Sequence, residues 1–289
     1  MDANIASREK QIFFHVGLAK TATTWLQHKV FPNFRGIYYV KNTRYHRYAE
    51  IIDRSDHLKY LVSREFDRQL EREVSRFAAR YPHARTMIVL RRHDSWIASQ
   101  YRRRVKNGFG LPFEAFLDLE RDKGYWKQSD LYFFPKLRIL EKYFSEKPLV
   151  LFYEDLKSDA VAFVDKMARF CSADYDRNQI SLSPFHTSYA DKQLRVLRSV
   201  SRYLFSPVQQ FSGPRVWRWV QKRSRSLLVY SILYPAVLLP DAWLPKDDLI
   251  PKEQLEKIRQ RYADDWQQCR EYAERQNAVS VPDPAPSRR

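Results

Sequence analysis

The sequence predicts an α/β fold in which a parallel central sheet is flanked by helices and followed by a helical C-terminal half. Short runs of β-branched and aromatic residues alternate with longer segments of helical periodicity, a pattern typical of parallel sheets. No convincing strand follows residue 186. The chain has 289 residues, 44% of them apolar, which is enough to bury the core of one domain. We therefore expect a single domain over 1–275, with an α/β core over about 10–170, a helical cap over about 186–275 and a compositionally disordered tail over 276–289.

Each predicted strand is a short apolar run bounded by polar or turn residues. These runs cover 11–16, 36–40, 85–90 and 148–153. Between them, apolar residues recur at helical spacing in two stripes, namely Phe66, Leu70, Val74, Phe77 and Tyr81, and then Leu131, Phe134, Leu137 and Phe144. Further helices are predicted over 188–205, 214–234 and 252–274. The last carries an apolar side made of Leu255, Ile258, Tyr262, Trp266 and Cys269.

The composition limits the partners and the compartment. Lys and Arg total 51 against 34 Asp and Glu, a formal charge of +17 that attracts polyanions, anionic lipid or phosphorylated ligands. Cys171 and Cys269 are too far apart for a zinc spacing or a disulfide framework, so we expect both to be buried thiols. The start, "MDANIASREKQ", lacks the basic-then-apolar order of a secretory signal, which predicts a cytoplasmic protein.

The most informative stretch is "HVGLAKTATTWLQ". A strand ending at Gly17, a tight turn and a following helix leave backbone N–H groups and a positive dipole end at the turn, which is an anion site. Lys20 adds a full charge to it. The hydroxyls of Thr21, Thr23 and Thr24 either donate to phosphoryl or sulfuryl oxygens or cap the helix. Capping explains one threonine alone, whereas anion binding explains the whole cluster better.

This loop differs from the Walker P-loop. The Walker pattern places its lysine seven positions after the first glycine and directly after a second one. Here Lys20 lies three positions after Gly17. The loop is too short to wrap a triphosphate in the usual way, which disfavours an ATPase.

A second cluster lies in "TMIVLRRHDSWIASQYRRR". Its strand delivers Arg91 at the carboxyl end, where open α/β sheets bind ligands, and Ser99 follows eight positions later, about two helical turns on. Taken singly, Arg91 reads as a surface cation and Ser99 as an ordinary helix serine. Taken together behind a strand, they predict a phosphate site.

These stretches resemble the sulfotransferases that use 3'-phosphoadenylyl sulfate (PAPS). "KTATTWL" is similar to the family's 5'-phosphosulfate loop, usually K-[ST]-G-T-T, and "LRRHDSWIASQY" is similar to its 3'-phosphate motif. "LVLFYEDLKSD" resembles the strand with Tyr-Glu-Asp-Leu that follows in the family. The resemblance covers about residues 10–170. Beyond it, "PFHTSYADKQLRVLRSV" is only faintly like bacterial carbohydrate-type members, and the implied fold is the P-loop NTPase-like sulfotransferase architecture.

The resemblance also implies residue roles. Lys20 is expected to contact the bridging and transferring oxygens, and Arg91 with Ser99 to hold the 3'-phosphate. The 5'-phosphate is expected to be bound by the loop residues Thr21, Ala22, Thr23 and Thr24. Trp25 stacks on adenine in members that read K-[ST]-G-T-T-W, but it is equally well explained as a core aromatic. The family's reaction needs no metal, so none is expected.

Two departures from the family pattern stand out. Ala22 replaces the usual glycine, so a loop that needs a positive φ at this position must bend differently, because a Cβ is penalised there. His93 stands where the arginine motif often has proline, which affects the start of the helix but not the pairing of Arg91 with Ser99.

The base that removes the acceptor proton is expected just after the second strand, as in the family. There "YYVKNTRYHRYAEII" offers His46 and Glu50, with Lys41 as an orienting cation, and we choose His46. His15 and His28 near the loop are rivals. Glu154 and Asp155 are expected to be structural, paired with arginines or capping the turn after their strand.

One segment bears on whether the protein contacts a membrane. "LLVYSILYPAVLL", over 227–239, follows "RVWRWVQKRSRS", which alternates cations with tryptophans. It is too short and proline-interrupted to span a bilayer. The stretch 214–245 therefore reads either as an interfacial helix on the anionic inner membrane face or as a buried capping helix.

Three functions remain open from the sequence. The first is a sulfotransferase that moves a sulfuryl group from PAPS to a hydroxyl of an acceptor, such as a glycan or glycolipid. The second is an atypical P-loop nucleotide-dependent kinase, in which "LVLFYED" imitates a metal-binding strand end. The third is a non-catalytic basic module that binds membrane or nucleic acid, although nucleic acid is not the expected partner.

Overall fold

The computed structural model describes residues 9–181, 189–205, 213–243 and 247–279. Its strands are β1 (Gln11–Gly17), β2 (Tyr38–Val40), β3 (Lys59–Glu65), β4 (Arg85–Leu90) and β5 (Leu149–Phe152). Its α-helices are α1 (Thr23–Trp25), α2 (Tyr48–Arg54), α3 (Leu70–Ala78), α4 (His93–Lys106), α5 (Phe113–Phe116), α6 (Phe134–Tyr143), α7 (Tyr153–Ser158), α8 (Ala160–Phe170), α9 (Asp191–Leu204), α10 (Arg215–Leu233), α11 (Lys252–Arg261) and α12 (Ala263–Val279).

The chain divides into two compact units. The described residues of the first, the α/β unit, are 9–92, 132–181 and 263–279. Those of the second, the helical unit, are 93–131, 189–205, 213–243 and 247–262. The segment 93–131, which falls within the range predicted for the α/β core, thus clusters with the helical unit, and α12 clusters with the sheet.

The α/β unit is built on one parallel sheet of five strands in the order β2-β3-β1-β4-β5. β1 is central and pairs in parallel with β3 on one side and β4 on the other. The predicted fold class, a parallel central sheet flanked by helices, is confirmed. The sequence prediction missed β3 and extended the strand that became β2 by two residues toward the N-terminus.

One face of the sheet buries an apolar core under α8 and the segment after the first loop. Phe13, Leu61 and Met87 project to this face from three successive strands and are fully buried. α8 contributes Phe163 and Met167 to the same cluster. Burial of each such side chain stabilises the fold by about 1.5–3 kcal/mol.

The opposite face is covered by α3, α6 and α12. Phe14 of β1 stacks on Phe77 of α3 with ring centroids 3.9 Å apart. Phe152 of β5 meets Trp266 of α12 edge to face at 5.0 Å. The helical stripes predicted around Phe77 and in α6 therefore belong to the core, as expected.

The helical unit is organised around α4, which packs against α9 and α11. Tyr101 of α4 is fully buried and meets Phe113 edge to face at 5.2 Å. Predicted helices over 188–205 and 214–234 correspond to α9 and α10. The single helix predicted over 252–274 is two helices in the structure, because the backbone leaves helical geometry at Tyr262. The predicted apolar stripe is therefore shared between α11 and α12.

Several predictions concern the ends of the described segments. No strand follows residue 186 in the described part of the chain, as expected. The tail predicted over 276–289 begins inside α12, which continues to Val279, and 280–289 lies outside the described residues. Residues 182–188, where the faint C-terminal likeness begins, also lie outside them.

Both cysteines are unpaired and buried, as predicted, and burial raises the pKa of Cys171 to about 12.

Candidate active site

The site predicted from the two motifs lies at the carboxyl edge of the sheet, between β1 and β4. The chain leaves β1 toward β2 on one side of the sheet, and the β3–β4 connection then crosses β1 to the other side. This reversal is the topological switch point, where open α/β sheets bind ligands in a crevice outside their strand ends. Lys20 follows β1 and Arg91 follows β4, so the fold brings both predicted cations to this point.

Arg91 lies directly against the loop that carries Lys20. Its Nη1 donates to the carbonyl oxygen of Lys20 at 3.1 Å. Its guanidinium carbon lies 4.4 Å from the ring centroid of Tyr153, the first residue after β5, which is a cation–π distance. The residues predicted from the two motifs therefore lie side by side at this edge of the sheet. The contribution of Tyr153 was missed, because from the sequence it reads only as the end of a strand.

The loop after β1 is tightly folded. A Cβ added at Gly17 would lie 2.9 Å from Cγ2 of Thr23, a distance that real Cβ atoms essentially never show, and 3.2 Å from the carbonyl oxygen of Arg64, which is a tight contact. Lys20 and Ala22 both have positive φ, 68° and 64°. The expectation that alanine would make the loop bend differently is wrong: Ala22 adopts the left-handed conformation in spite of its Cβ, at a strain of about 1–2 kcal/mol.

Two of the loop threonines hold the loop together. The Oγ1 of Thr21 donates to the carbonyl oxygen of Leu18 at 2.7 Å, and the Oγ1 of Thr23 donates to the same oxygen at 3.0 Å. Both side chains are buried, whereas Thr24 is half-buried. A hydroxyl proton given to Leu18 is not available to a ligand, so in this conformation Thr21 and Thr23 act as internal caps of the loop.

The helix after the loop is irregular. α1 passes into a π-helical turn over Leu26–Val30 and then into a 3-10 turn. Such π turns occur frequently at functional sites. Trp25 is 7% exposed, packs in the sheet core and donates from Nε1 to the carbonyl oxygen of Ser181 at 2.9 Å. Of its two readings, the structure places Trp25 as a core aromatic.

The end of β3 braces the loop from the other side. The backbone N–H of Phe66 donates to the carbonyl oxygen of Gly17 at 2.7 Å, and the N–H of Ala19 donates to Oδ1 of Asp67 at 3.2 Å. Sequence reasoning missed Asp67 because it missed β3. The available signal was a polar cluster directly after the apolar run Tyr60–Val62.

The carboxylates after β5 have structural partners, as expected. Oε1 of Glu154 accepts from the backbone N–H of Arg92 at 3.0 Å, which ties the ends of β4 and β5 together. Asp155 forms an ion pair with Arg270 at 3.2 Å. That partner comes from α12, far along the chain rather than nearby.

Ser99 and His93 lie on α4 in the helical unit. α4 begins at His93 itself, so histidine starts this helix without a proline. The His93 ring is buried and stacks on Tyr262 with centroids 5.1 Å apart. Ser99 lies six residues further on, about 9 Å along the helix axis, and is half-buried.

An open cavity of about 360 Å³ lies beside the loop within the α/β unit. Its lining residues are Tyr45, His46, Tyr48, Arg64, Glu65, Phe66, Gln69, Arg72, Glu73 and Arg76. Phe66 connects this cavity to the loop through its bond to Gly17. His46, the predicted base, is exposed at the cavity wall.

Two of the three rival bases are less suitable than His46. Glu50 accepts from Arg47 at 2.9 Å and from Arg54 at 3.1 Å, and its hydrogen bond with Arg47 holds its pKa below the ordinary value. His15 is fully buried on β1, where its Nδ1 lies 2.8 Å from the Ser63 hydroxyl, and desolvation lowers its pKa to about 3. His28 is exposed, on the π-helical turn after the loop.

His15 belongs instead to a buried polar network. Ser63 also accepts from Nε2 of Gln27 at 3.0 Å, so three polar side chains connect β1, β3 and the helix after the loop.

No group of three or more His, Cys, Asp or Glu side chains within the described ranges is placed to hold a metal ion.

Comparison with known proteins gave similarity only at the level of structure. No protein-family model matches the chain, and no curated protein matches it. A sulfotransferase from Alicyclobacillus acidocaldarius is 17% identical, covering 72% of this chain and 99% of its own, with a TM-score of 0.49. A mouse sulfotransferase complexed with PAP is 19% identical, covering 58% of this chain and 61% of its own, with a TM-score of 0.37. Both TM-scores lie below 0.5, so the case for a function rests on the chain's own motifs and geometry.

Proposed function

We propose that the chain is a sulfotransferase that moves a sulfuryl group from PAPS to a hydroxyl of an acceptor. The observation that carries this proposal is the contact between Arg91 and the carbonyl of Lys20 at the switch point between β1 and β4. Those residues are the fixed cations of the two motifs that resemble the PAPS-binding motifs. A donor with phosphates on both the 5' and the 3' positions needs two such cations in one site.

In this proposal the residues after β1 hold the 5'-phosphosulfate. Lys20 would place its ammonium at the oxygen that bridges phosphorus and sulfur, and Thr24 and the backbone of the loop would supply further donors. Arg91 would hold the 3'-phosphate, and the role of Ser99 there stays a prediction from the sequence. Because Thr21 and Thr23 already donate to Leu18, their contribution is to fix the loop rather than to touch the donor.

The reaction breaks the bond between sulfur and the 5'-phosphate oxygen and forms one between sulfur and the acceptor oxygen. Negative charge then develops on the departing phosphate. By analogy with phosphoryl transfer, a loose transition state is stabilised chiefly by positioning and by charge at the leaving group. Lys20 supplies that charge. The products are the sulfated acceptor, adenosine 3',5'-bisphosphate and the proton of the acceptor hydroxyl.

The cavity beside the loop is the proposed acceptor site, and His46 is the proposed base that takes the proton. Aromatic rings and guanidinium groups line the same cavity, among them Tyr45, Tyr48 and Arg76. Aromatic walls with a few charged groups suit a polar ring bearing an acidic substituent. A sugar of a glycan or glycolipid is an acceptor of this kind.

Calorimetry with adenosine 3',5'-bisphosphate tests donor binding. We expect metal-free binding by the wild type and losses of at least about tenfold in Lys20→Ala and Arg91→Met, since charged hydrogen bonds contribute about 1.5–3 kcal/mol each. Arg54→Met, which removes an exposed cation elsewhere in the same unit, is the matched control and should bind like the wild type. Magnesium-dependent binding of ATP without binding of the bisphosphate would support the kinase instead.

Turnover with labelled PAPS and a panel of hydroxyl acceptors tests the chemistry. Lys20→Ala is expected to abolish transfer, and His46→Ala to lower kcat by about 10²–10⁴ without changing donor affinity. Full turnover by His46→Ala would remove the assignment of the base but leave the donor site standing. Equal donor affinity in Lys20→Ala and the wild type would overturn the proposed function itself.

A further inference from the structure

α10 presents an apolar face to solvent. Val216, Val220, Leu227 and Tyr234 follow one another at spacings of four and seven residues, which places them along one side of the helix and its end. All four are exposed. Just beyond α10, Leu238 is 85% exposed. We call these five residues the outer face.

The outer face is turned away from the body of the helical unit. α10 packs on its unit through Val229 and Leu233, which are buried. Arg225 lies on the same side and donates to the carbonyl oxygens of Asn107 and Gly108. At about 100° per residue, Val229 lies about 200° around the helix from Leu227. An amphipathic surface helix ordinarily buries its apolar stripe, whereas α10 carries a second one on the opposite side.

The helix that carries the exposed stripe is rich in cations and tryptophans. α10 contains five Lys or Arg residues and no Asp or Glu. Trp217 and Trp219, near its start, are both more than half exposed, and Trp243 beyond its end is 75% exposed. A basic helix with tryptophans and an exposed apolar side is typical of helices that lie in a membrane interface. Within the described ranges, no helix is long and apolar enough to cross a bilayer.

The charge of this surface decides its occupant. A second copy docked through the same face would bring the four exposed cations of one α10 toward those of the other, on a chain whose net charge is +17. An anionic bilayer meets both properties at once, because its headgroups attract the cations and its acyl region takes the apolar stripe. We propose that α10 docks the protein on an anionic membrane surface with the outer face inserted at the interface.

Vesicle flotation tests this proposal, and its outcome does not depend on the proposed sulfotransferase activity. The wild type should float with vesicles of phosphatidylcholine mixed with phosphatidylglycerol, but not with phosphatidylcholine alone. Binding should fall when salt rises from about 0.1 M to about 1 M, because the Debye length shrinks from about 10 Å to about 3 Å. Absence of flotation with the anionic vesicles would overturn the proposal.

Two double variants distinguish insertion of the outer face from a general effect of the protein's charge on membrane binding. Val220→Glu with Leu227→Glu should lower the partition coefficient at least tenfold, at about 1 kcal/mol for each charge near the surface. Leu58→Glu with Leu204→Glu adds the same charges at residues of similar exposure elsewhere and should change it about twofold or less. Equal losses in both pairs would refute a specific role for the outer face.

Fluorescence quenching in the wild type tests insertion directly. Brominated acyl chains in the anionic vesicles should quench the tryptophan fluorescence, and Trp217→Phe with Trp219→Phe should reduce that quenching. Light scattering after size-exclusion chromatography tests whether the competing occupant, a second copy of the chain, covers the outer face. A wild-type dimer that Val220→Glu with Leu227→Glu converts to monomer, without quenching in the wild type, would show that a second copy covers the face.

Discussion

Replacement of Ala22 by glycine is expected to stabilise the protein. Ala22 has a φ of 64°, a conformation that costs an L-residue with a Cβ about 1–2 kcal/mol and glycine almost nothing. Glycine also makes the unfolded chain more flexible, which offsets about 0.4–1 kcal/mol of that gain. The methyl of Ala22 is partly buried against the core, and its loss offsets a further part of the gain. The net increase in the free energy of unfolding should be about 0.5 kcal/mol, measured by urea denaturation with the m-value unchanged.

The matched control is Ala19→Gly in the same loop. Ala19 is buried and is not among the described residues with positive φ. The same substitution there should destabilise the protein by about 1–2 kcal/mol, from lost backbone restriction and a lost buried methyl. Opposite signs at positions 19 and 22 would isolate backbone conformation as the cause. A destabilised Ala22→Gly would refute the strain assigned to the loop.

Two further predictions concern buried polar groups near the loop. Thr23→Val removes a donor to the carbonyl of Leu18 and should lower the free energy of unfolding by about 1 kcal/mol, whereas Thr24→Val should leave it within about 0.5 kcal/mol and weaken nucleotide binding instead. Urea titration and calorimetry measure both, and the reverse pattern would contradict the division of roles. Burial of His15 lowers its pKa from about 6.5 to about 3, so protonation favours the unfolded state. Stability should therefore fall as pH drops below 6.5, by about 2 kcal/mol at pH 5 from this residue alone. His15→Gln should remove that part of the pH dependence and the exposed-site control His83→Gln should keep it, so equal slopes in both variants would count against the assignment.

Most of the sheet could be predicted from the sequence, because its strands are apolar runs with clear ends. β3 could not, since its apolar run is only Tyr60–Val62 and its remaining residues include Lys59, Arg64 and Glu65. Pairing with β1 on one side and β2 on the other makes this segment a strand. That stabilisation is tertiary, and the local sequence signals it only through the short apolar run.

The candidate site was predictable in outline for a different reason. Lys20 and Arg91 each follow a strand of a parallel sheet, and the carboxyl ends of such strands share one edge. The direction of a hydroxyl is not encoded in this way. Thr21 and Thr23 could serve a ligand or the backbone equally well by residue type, and only the position of the Leu18 carbonyl decides that they serve the backbone.

The central position of β1 has a consequence for how the protein folds during synthesis. β1 is the first of the five described strands to be made, yet its partner in β3 lies 48 positions further along the chain, as the bond between His15 and Ser63 illustrates. Its other partner, β4, comes later still. Until both have left the ribosome, the phenylalanines of β1 have no strand to pair with and are open to chaperones or to misassociation. Because such long loops must close before the strands pair, we expect the sheet to assemble slowly.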